Sequence, residues 1–161
     1  LWTELGLSAE ELDKHYFSGP AFLAWHRMGN LDGYMGPQPP NWRENRRILQ
    51  KLIVKRMRSL GIVPVLPAFA GHVPALLESK FKRDGRTLKV HRGNGRDEGW
   101  CGFPPTTILD ASDPMFRVIG KRFLELQTDE YGTDNIYSCD TWNEMAVPFT
   151  DEPSLRASSG I

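Results

Sequence analysis

Residues Gly61 to Phe69 read GIVPVLPAF, and the interpretation of this stretch decides the fold class. The run is apolar nearly throughout and too short for a buried helix, which predicts a strand. Because it lacks the in-out alternation of a half-solvated strand, both faces are expected to be covered, as in parallel sheets. Two further runs have the same character. One is AFLAW, Ala21 to Trp25, which follows Gly19-Pro20; the other is Asn135 to Trp142, the start of NIYSCDTWNEM (Asn135 to Met145).

Helical patterns separate these runs. SAEELDKHYF (Ser8 to Phe17) opens with Ser8 and Glu11 at capping-box spacing. In NWRENRRILQKLIVKRMRSLG (Asn41 to Gly61), Ile48, Leu49, Leu52, Ile53, Met57 and Leu60 form one apolar stripe, with Gly61 as a helix stop. The Arg and Lys residues opposite that stripe read as a solvated face. In SDPMFRVIGKRFLELQTDEYG (Ser112 to Gly132), Asp113 is the expected N-cap, Pro114 opens the first turn and Gly132 ends the helix. Phe116, Ile119, Phe123, Leu124 and Leu126 supply its buried side. Lys80 to Gly99 shows no period and reads as a loop or insertion.

Apolar strands separated by amphipathic helices predict an α/β fold with parallel pairing through crossovers. Composition agrees with one ordinary globular domain: 161 residues, 40% hydrophobic and 25% charged. Twenty basic and twenty acidic side chains cancel, so long-range attraction to nucleic acid or to an anionic membrane is not expected. No run is long enough to span a bilayer. Cys101 and Cys139 lack disulfide-framework or zinc spacing, and Cys139 is expected to pack within its strand as a small hydrophobe. His15, His26 and His91 are scattered without metal-ligand spacing, so neither metal nor cofactor is expected.

The parallel sheet could be a doubly wound layer or a closed barrel. The first would bind a nucleotide at a glycine-rich turn, but the G-x-G at Gly93-Asn94-Gly95 follows no strand and opens no helix. A barrel carries its functional groups at the C-terminal ends of its strands. Those ends deliver Trp25 with nearby Asn30, then Phe69 and His72, then Trp142, Asn143 and Glu144. Aromatic planes with an amide, an imidazole and a carboxylate suit a sugar, which has apolar faces and a hydroxyl rim. A Glu144 walled by Trp142 and the barrel mouth would be partly desolvated and its pKa raised, as a general acid requires. Other readings stay open on the residues alone: Glu144 as a plain surface residue, His72 as a capping or core histidine, and Trp25 and Trp42 as core.

Four stretches resemble the α-N-acetylglucosaminidases, glycoside hydrolase family 89. They are GPAFLAWHRMGNL (Gly19 to Leu31), GPQPPNW (Gly36 to Trp42), MRSLGIVPVLPAFAGHVP (Met57 to Pro74) and YGTDNIYSCDTWNEM (Tyr131 to Met145). The likeness runs from about Leu5 to Ser154. It implies a (β/α)8 catalytic barrel and retaining removal of terminal α-linked N-acetylglucosamine, notably from heparan sulfate, in a lysosomal or secreted setting. It also implies Glu144 as the general acid/base, Asn143 near the sugar 2-substituent, and Trp25, Asn30, His72 and Trp142 on the substrate face. His26 and the run LDGYM (Leu31 to Met35) fall where family members vary.

The family nucleophile is a Glu on a later strand, past Ile161, and a closed barrel needs about 250 residues. The expectation is therefore a partial barrel of about three strand-helix units, spanning 1–161 and incomplete at both ends. Its partners would be the remainder of the barrel and a glycan ending in N-acetylglucosamine. The alternative is a non-catalytic structural or carbohydrate-binding fragment derived from such a barrel.

Overall fold

The computed structural model describes residues 1–16, 38–93 and 99–159. Helix α1 (Ala9–His15) starts at Ser8, whose hydroxyl accepts from the Glu11 amide (3.0 Å) while the Glu11 carboxylate accepts from the Ser8 amide (2.8 Å). Helix α2 (Pro40–Ser59) ends at Gly61, which has φ +74°. There Ile62 N–H bonds Met57 C=O and Gly61 N–H bonds Arg58 C=O, so the last carbonyls are satisfied. Strand β1 (Leu66–Pro67) follows, and then β2 (His72–Val73), α3 (Ala75–Arg83), β3 (Val90–Arg92) and β4 (Thr107–Leu109). Helix α4 (Pro114–Tyr131), strand β5 (Tyr137–Ser138) and helix α5 (Glu152–Ser159) complete the described order. The AFLAW strand lies outside the described residues.

The expected parallel pairing is present between β1 and β5, with Leu66 opposite Tyr137 and Pro67 opposite Ser138. Both strands are shorter than the apolar runs that contain them. Pro64 and Pro67 have no N–H to donate, so pairing is confined to a core in which Leu66 N–H bonds Ile136 C=O and Ala68 N–H bonds Ser138 C=O. On the partner side Asn135 takes φ +59°, a turn conformation that starts β5 late. Cys139, expected inside that strand, lies past its end and is exposed.

Between β1 and α4 the chain makes an antiparallel excursion, in strand order β2-β4-β3, with His72 and His91 both opposite Ile108. This corrects the reading of Lys80 to Gly99 as a loop: α3 runs to Arg83 and β3 lies within that segment. Strands of two and three residues are too short to show a period of two. The central strand β4 is buried along its whole length.

The core lies where this sheet, α3 and α4 meet, and contains Phe69, Val73, Leu77, Phe81, Leu109 and Ile119. The Phe69 ring packs against Phe116 and Phe123 of α4, with centroids 5.0 and 6.2 Å apart. Gly71 permits this approach: its φ is +93°, and a Cβ there would stand 3.1 Å from Leu109 C=O and from the Phe116 ring. Asp113 both caps α4, accepting from Met115 N–H (2.8 Å), and accepts from Lys89 N–H (2.7 Å), which ties the start of β3 to the helix.

Helix α2 docks on the face opposite to the one its sequence predicts. Val54 is buried, but Ile48, Leu49, Leu52, Ile53 and Leu60 are all exposed, Leu52 at 60%. The basic face makes the contacts instead. Arg47 and Lys51 pair with Glu130 of α4, and Arg58 takes Asp134 with two nitrogens (2.9 and 2.5 Å) and Tyr131 C=O (2.6 Å). Val63 and Val65 beside β1 and Ile136 beside β5 are also bare, so one face of the parallel pair is covered and the other is open.

The two leucine environments predict opposite mutational outcomes. Leu77→Ala in the core should lower unfolding stability by about 2–5 kcal/mol, whereas Leu52→Ala on the bare stripe should change it by less than about 0.5 kcal/mol. Urea unfolding of the two variants measures the contrast.

Candidate functional site

Parallel pairing points the C-terminal ends of β1 and β5 the same way, so the loops that leave them lie side by side. Cys139, just past β5, reaches back to Phe69 C=O with its Sγ at 3.8 Å. The first loop leads to His72 and the second to Trp142, Asn143 and Glu144.

The second loop closes in a tight turn, Met145 N–H bonding Trp142 C=O at 2.9 Å. Glu144 occupies its third position with φ +53°. A non-glycine residue pays about 1–2 kcal/mol for that left-handed conformation, and such strain persists only where the surroundings impose it. Here they do so from both flanks. On one, Met145 is 8% exposed, with its Sδ 3.7 Å from the Thr106 hydroxyl. Gly93 lies beneath it, where a Cβ would come within 2.7 Å of both atoms. On the other flank, Trp142 meets His91 and Phe149 edge to face, at 5.9 and 6.1 Å. The Glu144 side chain itself points out and is exposed.

His91 is fixed in turn by Asp110, with Nε2 to Oδ2 at 2.6 Å. Asp110 also accepts from the Ser112 backbone (2.8 Å) and hydroxyl (2.5 Å). Burial alone would raise the Asp110 pKa, but these Ser112 and His91 hydrogen bonds outweigh it and hold the carboxyl at about 2. Lys89, His91, Asp110, Trp142 and Phe149 line a cleft of about 280 Å³.

His72 faces a separate cavity of about 550 Å³ bounded by Pro67, Phe69, Phe123, Gln127 and Tyr131. Its Nε2 is buried without a partner among the described residues, and so is Trp142 Nε1. Burial depresses the imidazole pKa to about 4, against a smaller opposing pull from Asp140. Ordinary folded conditions therefore present a neutral ring with an unused nitrogen.

The structure thus places Trp142, Asn143 and Glu144 on one turn and His72 on the neighbouring loop. Trp25, Asn30 and His26 lie outside the described residues. The expectation of a partly desolvated Glu144 against Trp142 is not met by the described residues, because Trp142 turns toward His91 and Phe149 and leaves the carboxylate in the open. Sequence reasoning missed His91, Asp110, Thr106 and Gly93. The first pair meets only through β3–β4 pairing, and Gly93 had drawn notice solely as half of a rejected nucleotide motif. No group of three or more His, Cys, Asp and Glu able to hold a metal occurs among the described residues, and no described helix is long and apolar enough to cross a membrane.

Comparison with known proteins adds four findings. The family model of the α-N-acetylglucosaminidase TIM-barrel domain matches residues 1–160. Human α-N-acetylglucosaminidase is 42% identical over 159 residues, which cover 99% of this chain and 21% of that protein; the chain spans about a fifth of its relative's length. A family 89 glycoside hydrolase from Clostridium perfringens, solved with 2-acetamido-1,2-dideoxynojirimycin, is similar in structure with a TM-score of 0.81 at 29% identity, over 99% of this chain and 18% of that one. The same bacterial protein with two Glu-to-Gln substitutions, solved with its substrate GlcNAc-α-1,4-galactose, gives a TM-score of 0.79 at 28% identity, over 99% of this chain and 18% of that one.

The His72 environment makes stability pH-dependent. Its folded pKa lies below the ordinary value of 6.5, at about 4, so the unfolded chain binds the proton first as pH falls. The stability this site confers should be complete above about pH 6.5, decline down to about pH 4 and then level off, a loss of at most about 3 kcal/mol. His72→Phe should flatten that acid limb in urea midpoints measured against pH.

Proposed function

The chain belongs to the α-N-acetylglucosaminidase family, with an α/β fold of the TIM-barrel type, and on that premise we propose that it is the acid/base-bearing part of a retaining exo-glycosidase. In this reading residues 1–161 form the N-terminal portion of a (β/α)8 catalytic domain, of which β1 and β5 are adjacent strands. The observation that carries the proposal is the strained turn at the C-terminal edge of that parallel pair, which presents Glu144 outward while its two ends, Trp142 and Met145, are anchored. Barrel enzymes place their chemistry at this edge.

Glu144 protonates the glycosidic oxygen as the leaving group departs, and a second carboxylate attacks the anomeric carbon. Glu144 then removes a proton from the water that hydrolyses the glycosyl-enzyme. In a retaining enzyme the two carboxyl groups stand about 5–5.5 Å apart, and the resemblance assigns the second to a later strand. Asn143 is the proposed contact to the sugar 2-acetamido group. His72 offers its unpartnered nitrogen to a ring hydroxyl, and Trp25, Asn30 and Trp142 complete the substrate face. The substrate is a glycan ending in α-linked N-acetylglucosamine, with heparan sulfate as the proposed source and a lysosomal or secreted setting.

The remaining strands also bear on Glu144's surroundings. Covered by the facing wall of a closed barrel, the carboxylate would lose the solvent it now meets. The bare residues Val63, Val65, Ile136 and the α2 stripe offer the apolar surface on which such units would pack.

Two outcomes are expected. The 161-residue chain alone should not turn over an aryl α-N-acetylglucosaminide, and it should self-associate and bind hydrophobic dyes through its bare stripe. The polypeptide that includes the later strands should hydrolyse that substrate with retention, and Glu144→Gln should lower its kcat/KM by about 10²–10⁴-fold. Hydrolysis by the short chain, abolished by Glu144→Gln, would overturn the assignment of the nucleophile to a later strand.

A further inference from the structure

We infer that His91 is a positioning residue for the general acid/base: held by Asp110 on β3–β4, it fixes Trp142 and so sets where Glu144 points. This rests on the proposed acid/base role of Glu144. The contacts form one chain of short links. Ser112 donates to Asp110 with its amide and hydroxyl, Asp110 holds His91 Nε2 at 2.6 Å, and His91 stands edge-on to both Trp142 (5.9 Å) and Phe149 (5.8 Å). Trp142 C=O then accepts the hydrogen bond that closes the Glu144 turn.

Geometry explains why this support matters. A left-handed φ at a Glu is disfavoured, so the turn reverts to commoner backbone angles unless both of its ends are held. Gly93 and Thr106 hold the Met145 end, and the His91–Phe149 cluster holds the Trp142 end. Both supports draw on the same antiparallel sheet, through His91 on β3 and through Gly93 and Thr106 at the ends of β3 and β4. A shift of about 1 Å in an acid's position is enough to cost about a hundredfold in rate. Among the described residues His91 reaches the turn through Trp142, and its effect should fall most heavily on proton donation, where the aim of Glu144 matters.

The test uses the polypeptide that includes the later strands and a series of aryl α-N-acetylglucosaminides of decreasing leaving-group acidity. For each, kcat/KM reports the step in which the glycosidic bond breaks, and a 2,4-dinitrophenyl group leaves without needing a proton. His91→Ala should lower kcat/KM about tenfold or more on the phenyl glycoside, leave the 2,4-dinitrophenyl glycoside near wild type, and steepen the dependence on leaving-group acidity. His91→Phe keeps the ring packing but loses Asp110; it should fall between the two, and it serves in place of the alanine variant if that fails to fold. Equal losses across the series, or none, would overturn the inference while leaving the glycosidase reading intact. A wild-type protein inactive on every substrate, or indifferent to Glu144→Gln, would overturn the glycosidase reading itself.

Discussion

The parallel contact between β1 and β5 is the constraint on which the rest depends. It is short, two residue pairs and their flanking amides, yet it decides that the loops after Phe69 and after Ser138 emerge on the same edge. Parallel strands cannot be joined by a tight turn; they need a crossover, and α4 supplies it. The phenylalanine cluster of Phe69, Phe116 and Phe123 presses that helix onto the strand. At its other end, Arg58 clasps Asp134 and Tyr131 just before β5 begins, which sets the height at which the second strand enters. Packing and charge thus fix the two ends of one crossover.

The antiparallel excursion gains its meaning from the same edge. Its strands are too short to stand as an independent sheet, and they persist because α3, α4 and the Asp113 cap bury β4. What the excursion returns is rigidity at one point. Gly93 and Thr106 receive Met145, while His91 receives Trp142, and the Glu144 backbone is held at an angle that its own side chain disfavours. Strain at a single residue, imposed by a dedicated support, is a common arrangement at sites that must aim one group.

Several elements were legible in the sequence because their causes are local. The Ser8–Glu11 capping box, the glycine stops at Gly61 and Gly132, and Asp113-Pro114 at the start of α4 each rest on bonds spanning a few residues. The Asn143-Glu144 pair stood out for the same reason: a polar break just past an apolar strand. The length of β1 misled because two prolines interrupt hydrogen bonding without interrupting hydrophobicity, and that of β5 because Asn135 takes a turn conformation within the run. The face of α2 misled because hydrophobic periodicity says which residues share a side, not which side meets the neighbouring helix. Here Arg47, Lys51 and Arg58 meet carboxylates across the gap, and the apolar stripe faces out.

By itself, then, the sequence determined the class of fold, the helix boundaries that caps enforce, the strand that leads to Glu144, and a family likeness through four ordered motifs. Tertiary structure alone decided that Lys80 to Gly99 contributes a helix end and a strand, that His91 meets Asp110, and that Gly93 lies under Met145. The physical reason is separation along the chain. Caps and periodicities act within a turn or two and leave their signature in adjacent residues, whereas the support beneath Glu144 is assembled from segments that only strand pairing brings together.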